Sequence, residues 1–162
     1  MPPIRKAIFS RRVLFLDFDG VVSPGPITEP GMRAVPVHVP HFAWVPLLAK
    51  LLEPHPDVGV VVHSSWRANY DDDELSELLE GLEDRLIGAT PRHLARYPSI
   101  LMWLAAAQAR LPYRILDDDP SEFPSPPPPE LILCDPNAGL SGTRVLSALR
   151  DWLQATRVPN GR

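Results

Sequence analysis

A chain of 162 residues, 44% hydrophobic and 22% charged, has the size and make-up of one ordinary globular domain with a real core. A net charge of −4 gives no overall basic footprint, so composition makes no case for nucleic-acid binding; a single cysteine, Cys134, excludes an intramolecular disulfide and argues against a thiolate zinc site. No apolar run approaches the length of a membrane span, and the N-terminal MPPIRKAIFSRR lacks a signal-like hydrophobic region, so a cytoplasmic protein is the simplest reading.

Arg5, Lys6, Arg11 and Arg12 read as a solvated N-terminal segment. The apolar run Val13-Leu14-Phe15-Leu16 then predicts a buried central strand over 13–17, ending in Asp17-Phe18-Asp19-Gly20. The proline-punctuated stretch 22–40 predicts a flap or irregular loop, and Phe42, Val45, Leu48, Ala49 and Leu52 recur at helical spacing over 41–53. A second apolar strand runs over 58–63 into His63-Ser64-Ser65-Trp66-Arg67. Asp71 to Glu74 suit the start of an amphipathic helix carrying Leu75, Leu78, Leu79 and Leu82. A short strand at 85–89, a helix at 98–110 and a strand at 113–117 follow, the last ending in Asp117-Asp118-Asp119-Pro120. The proline-rich 124–129 reads as a stiff spacer before a strand at 131–135, where Cys134 is a buried inert thiol, and a helix at 142–156 closes the chain. Strands alternating with helices predict an α/β fold: a parallel sheet of about five strands flanked by helices, in a single domain over 1–162 with its core at about 12–156.

In such a sheet the carboxyl ends of the strands share one rim, where ligands bind. Asp17 and Asp19, two positions apart in extended backbone, point to one side and suit a metal ion or a phosphate, while Gly20 lets the chain turn away. A DxD alone leaves open a solvated acidic turn. Three further strand ends argue otherwise. Hydroxyls of Ser64 and Ser65, with Arg67, sit where a strand-to-helix junction holds phosphate oxygens, although serines there also cap helices. Asp117 and Asp118 crowd negative charge that a hard divalent cation relieves. Arg92 and Arg96 lie between, either of them able to offset charge on a transferring phosphoryl group. Trp44, Trp66 and Trp103 sit in helical or strand-junction contexts and read as core packing, with base stacking as the alternative.

The order hhhhDxDG, strand-to-serine, basic residue, strand-to-DD resembles the four-motif pattern of the haloacid dehalogenase-like (HAD) superfamily. LFLDFDGVV, VVHSSWR, LIGATP, Arg96 four residues before Ile100, ILDDD and DPNAGL are similar to the small HAD domains of Swiss Army Knife-type RNA repair systems. The resemblance implies a Rossmann-like fold, and intervals 21–57 and 68–91 leave no room for a separate cap domain. It further implies a Mg²⁺-dependent phosphatase acting on phosphomonoesters. Asp17 would be the nucleophile, Asp19 the acid and base (its backbone carbonyl also ligating Mg²⁺), and Ser64 and Arg96 the phosphate partners. Gly20, Ser65, Arg67 and Arg92 would contribute to substrate binding, and Asp17, Asp19, Asp117 and Asp118 to the metal site. Asp19 favours phosphatase over dehalogenase chemistry, since a halide needs no proton. The implied substrate is a phosphate on a nucleic-acid end, with a ligase or kinase as possible repair partner; a small-nucleotide phosphatase and a non-catalytic HAD-like binding module are the alternatives. A phospho-accepting receiver domain fits less well, since its motifs run in the opposite order and no lysine follows Lys50. Two departures stand out: the basic third motif is arginine where lysine is usual, and Ser99 occupies a position where the RNA-repair group would carry an acid.

Overall fold

β1 (Arg12–Leu16) is buried along its whole length, as an unbroken apolar run requires of a strand with neighbours on both edges and layers on both faces. In this computed structural model the described residues are 10–24, 42–107 and 110–155, with the backbone alone at 28–29 and 32–33. Arg5 and Lys6 lie outside them, as does most of the irregular stretch at 22–40. Within that stretch β2 (Thr28–Glu29) pairs antiparallel with β3 (Met32–Arg33).

β1 pairs in parallel with β4 (Val58–Val62) on one edge and β6 (Tyr113–Asp117) on the other. β5 (Leu86–Ala89) and β7 (Leu131–Leu133) complete a five-stranded parallel sheet of order β5-β4-β1-β6-β7. Among the described residues four α-helices flank it: α1 (Val45–Leu52), α2 (Asp72–Leu78), α3 (Arg96–Ala106) and α4 (Thr143–Ala155). The sheet therefore grows outward from β1 in one direction and, after α3, in the other. Its switch point lies between β1 and β6.

Strand alternation divides the core. Leu14, Leu16, Val60, Val62 and Leu116 face a layer built from α1, α2 and α4, whereas Val13, Phe15, Val61 and Ile115 face Ile100 of α3 and Phe123. Phe15 takes the edges of Trp103 and Tyr113 at ring-centroid distances of 5.5 and 5.8 Å, so Trp103 belongs to the core. Trp44 packs against Gly139, where an added Cβ would lie 2.2 Å from its ring. α2 begins with a capping box: Asp71 accepts from the Glu74 amide, and Glu74 accepts from the Asp71 amide. The expected acidic helix start is therefore present.

α3 begins two residues earlier than its periodicity suggested. Pro98 is tolerated in its first turn because no carbonyl four residues back within the helix needs its missing N–H. The shift makes Arg96 the first residue of the helix, beside the rim. The proline-rich 124–129 forms the irregular connection from β6 to β7, with a cis Ser125–Pro126 bond. Arg12 corrects an expectation. It is 2% exposed, its guanidinium paired with Asp57 at 2.7 Å and donating to the Leu153 carbonyl at 2.9 Å, because only a partnered charge can sit under α4. Among the described residues no helix is long and apolar enough to cross a membrane.

Candidate active site

The sheet register sets three residues abreast. Leu16 pairs with Val62 on one side and with Leu116 on the other, so the next residues are Asp17, His63 and Asp117. The ladder continues past the strand ends: the Asp17 amide donates to Leu116, the His63 amide to Leu16 and the Cys134 amide to Asp117. Each chemistry-bearing side chain is thus fixed to its neighbours by backbone hydrogen bonds, at the switch point where parallel sheets open a crevice.

Asp17 and Asp117 are 1% and 0% exposed, and with half-buried Asp118 they bring carboxylate oxygens within 4.8 Å of one another. Burial and the charge of Asp117 push the Asp17 carboxyl well above its ordinary pKa, against the pull of Arg96. Asp118 is raised as well, chiefly by burial. Asp117 goes the other way. Burial works against its charge, but the hydrogen bond from His63 and the charge of Arg96 hold it below the usual value.

Arg96 Nη1 lies 3.2 Å from Asp17 Oδ2 and 2.9 Å from Asp117 Oδ1, so one cation bridges two strand ends. A positive side chain at a helix N-terminus opposes the helix dipole, and here the two carboxylates offset that cost. His63 Nε2 lies 2.7 Å from Asp117 Oδ2, both groups fully buried. Burial holds the imidazole neutral, so this contact is an Nε2–H donated to a carboxylate; Nδ1 has no partner among the described residues.

Asp17-Phe18-Asp19-Gly20 folds into a tight turn in which the Phe18 carbonyl accepts the amides of Val21, Val22 and Ser23. Gly20 has φ +74°, and a Cβ there would lie 2.2 Å from Asp118 Oδ2. The glycine thus provides both the turn and the room for Asp118. Asp19, half-buried, accepts a 3.0 Å hydrogen bond at Oδ2 from the Trp66 indole.

The residues expected to bind phosphate divide. Ser64 is buried at the rim, and its Oγ accepts from the Trp66 amide at 3.3 Å, capping a short 3₁₀ turn (Ser65–Ala68). The hydroxyl hydrogen of Ser64 stays available to a ligand. Ser65 is exposed as the first residue of that turn. Arg67 and Arg92 depart from expectation. Arg67 is 4% exposed, and its guanidinium donates to the carbonyls of His63, Ser64, Pro91 and Leu94, tying the β4 and β5 loops together. Arg92 donates to the Arg67 carbonyl at 2.7 Å and pairs with Asp72 at 2.8 Å, away from the carboxylates. Buried carbonyls at loop ends need donors, and an arginine fork meets several at once. Ser99 is fully buried, and its hydroxyl donates to Thr90 at 2.8 Å or to the Arg96 carbonyl at 2.6 Å.

Sequence reasoning missed the contacts of His63 and Trp66. A histidine at the end of an all-apolar strand must find a polar partner, and that signal was present in the sequence. Nothing in the sequence pointed from Trp66 to Asp19.

A family model described as the HAD domain in Swiss Army Knife RNA repair proteins matches residues 13–145. The chain belongs to this family. Its five-stranded parallel sheet flanked by helices is consistent with a HAD Rossmann-like fold. Membership places it in a phosphohydrolase superfamily whose members typically use Mg²⁺. Comparisons with curated proteins and with solved structures returned no match. Among the described residues, the HAD domain carries only a small hairpin and α1 between β1 and β4, and the 3₁₀ turn at Ser65–Ala68 and α2 between β4 and β5.

Proposed function

We propose that this HAD domain is a Mg²⁺-dependent phosphatase that hydrolyses phosphomonoesters through an aspartyl-phosphate on Asp17. The observation that carries the reading is the cluster of Asp17, Asp117 and Asp118, bridged by Arg96 at the switch point. Three hard oxygen donors with raised pKa values at two of them suit a divalent cation, and Asp17, Asp117 and Asp118, with the Asp19 carbonyl, would hold it. When bound, Mg²⁺ offsets the repulsion between an anionic nucleophile and an anionic phosphate.

The chain's own residues supply the rest. An Asp17 oxygen attacks phosphorus as the bond to the leaving oxygen breaks, and Asp19 gives that oxygen its proton. Asp19 then takes a proton from the water that attacks the aspartyl-phosphate, releasing phosphate and restoring Asp17. The Ser64 hydroxyl and the Arg96 guanidinium bind the phosphoryl oxygens. The family description and the small inserts beside the site favour a bulky substrate, and we infer the phosphate of a nucleic-acid end.

A panel of phosphate esters with and without Mg²⁺, including p-nitrophenyl phosphate, free nucleotides and oligonucleotides bearing 3′ or 5′ phosphates, tests both levels of the reading. Metal-dependent release from the aryl ester that Asp17→Asn abolishes supports the chemistry, and equal hydrolysis by that variant overturns it. Preference for free nucleotides over oligonucleotide ends overturns the substrate assignment alone.

A further inference from the structure

Among the described residues one side chain, the Trp66 indole just past Ser64 and Ser65, donates to the Asp19 carboxylate. The Trp66 indole nitrogen lies 3.0 Å from Asp19 Oδ2, and the ring is clamped by Phe18, Phe42 and Tyr70 at centroid distances of 5.9, 5.4 and 5.4 Å. The clamp is itself built at a cost. Phe42 has φ +58°, a conformation that a bulky residue adopts only when its surroundings impose it, and its amide donates to Ser23 Oγ at 3.1 Å. Ser23 in turn bridges to Asp19 through the backbone. The strained turn, the aromatic clamp and the acid thus form one connected unit.

An indole N–H can donate but cannot accept. The oxygen it meets is therefore an acceptor whether Asp19 carries a proton or not. We propose that Trp66 is a positioning residue for Asp19: by engaging Oδ2 it leaves Oδ1 as the oxygen that carries the transferable proton and aims it at the leaving group. The proposal rests on the phosphatase reading, with Asp19 as its acid. The proton on Oδ1 moves to the leaving oxygen as that oxygen takes the electron pair of its broken bond to phosphorus; Oδ1 later accepts the proton of the attacking water. In this proposal Trp66 acts through Asp19, to which its indole donates. Its effect is confined to steps in which a proton moves.

The leaving group therefore provides the test. 2,4-Dinitrophenolate departs without a proton, whereas a phenolate or an alkoxide needs one. With Mg²⁺ present, kcat/KM of wild type, Trp66→Phe and Asp19→Asn is compared on 2,4-dinitrophenyl, p-nitrophenyl, phenyl and alkyl phosphates. General-acid help is typically worth ~10²–10⁴-fold, so Trp66→Phe is expected to lose about tenfold or more on phenyl and alkyl phosphates beyond its loss on the dinitrophenyl ester. In the Asp19→Asn background the same substitution is expected to add no such split. A uniform loss across the series overturns the proposal and makes Trp66 a packing residue. Equal splits with and without Asp19 overturn it as well. Wild type inactive on every ester overturns the phosphatase reading itself, a different failure. Should Trp66→Phe not melt cooperatively, benzothienylalanine at 66, which replaces N–H by sulfur at nearly the same shape, gives the same comparison.

Discussion

Arg96 reaches from the first residue of α3 to place Nη1 3.2 Å from Oδ2 of Asp17, the carboxylate proposed to attack. The same nitrogen holds Asp117 at 2.9 Å, so the cation is set in place by β6 before any phosphate arrives. A donor fixed in this way needs no reorganisation as charge shifts during phosphoryl transfer.

Removing it is therefore expected to be costly in rate. Arg96→Ala should lower kcat/KM on an aryl phosphate by about 10²–10³-fold, the usual scale for one fixed electrostatic donor. Arg96→Lys should recover part of the charge but not the bridge to both acids. Steady-state kinetics with saturating Mg²⁺ measures this, and activity within a few-fold of wild type in Arg96→Ala would remove Arg96 from the site.

His63 donates to Asp117 from a fully buried position, and that bond is one of the causes holding Asp117 below the usual pKa. Groups that orient ligating carboxylates commonly influence metal affinity by about 10–100-fold when removed. His63→Leu should raise the Mg²⁺ concentration for half-maximal activity on that scale, with kcat at saturating metal less affected. His63→Gln, which keeps a side-chain N–H, should recover part of the loss. Unchanged Mg²⁺ dependence in His63→Leu would leave Asp117 positioned by Arg96 and the Asp119 amide alone.

Asp17 affects stability with the opposite sign to activity. Burial first, and then the Asp117 charge, raise its pKa in the folded protein well above the ordinary value. A carboxyl with a raised folded pKa binds more protons folded than unfolded, so its favourable contribution is present below the unfolded pKa of ~3.9 and is lost as pH rises through the folded pKa. Asp17→Asn, neutral at every pH, should therefore raise the metal-free melting temperature near neutrality by a few degrees, about 1 kcal/mol corresponding to ~2–4 °C, while abolishing turnover. Mg²⁺ should stabilise wild type more than the variant. Calorimetry in metal-free buffer decides the matter: a variant that melts below wild type at pH 7 contradicts it.

How much of this was readable beforehand differs by residue. β1 and β6 with their rim acids followed from apolar runs that stop at carboxylates, and β4 from one that stops at His63-Ser64, because buried strands leave a strong one-dimensional trace. The residues alone left Arg92 and Arg96 open, and only the resemblance selected Arg96, since the choice depends on where α3 begins and Pro98 drew that boundary two residues late. Arg67 and Arg12 were misplaced for one reason: a buried arginine bound to carbonyls or to a distant carboxylate looks, in sequence, like any surface arginine. Two of Arg67's four carbonyl partners, Pro91 and Leu94, are 24 and 27 residues away, and the Asp57 that holds Arg12 is 45 away. The Trp66 contact with Asp19 spans 47 positions and likewise depends on tertiary packing alone.

Gly20 permits a test of how closely the turn and the metal site are coupled. Its φ of +74° is strained for any other residue, and a new Cβ would lie 2.2, 2.5 and 2.9 Å from Oδ2, Cγ and Cβ of Asp118. The clash cannot be relieved at the end of a flexible chain, because it includes the Asp118 Cβ, fixed to the backbone. Gly20→Ala should destabilise by about 1–3 kcal/mol, the scale of a strained residue at a functional turn, and raise the Mg²⁺ requirement by displacing Asp118. In an Asp118→Ala background the two shorter contacts are absent, and the stability penalty of Gly20→Ala should shrink to backbone strain and the remaining 2.9 Å contact with the Cβ of residue 118. Denaturant unfolding of the four proteins in this cycle measures the coupling. Strictly additive penalties would show that Gly20 serves the turn and not the acid beside it.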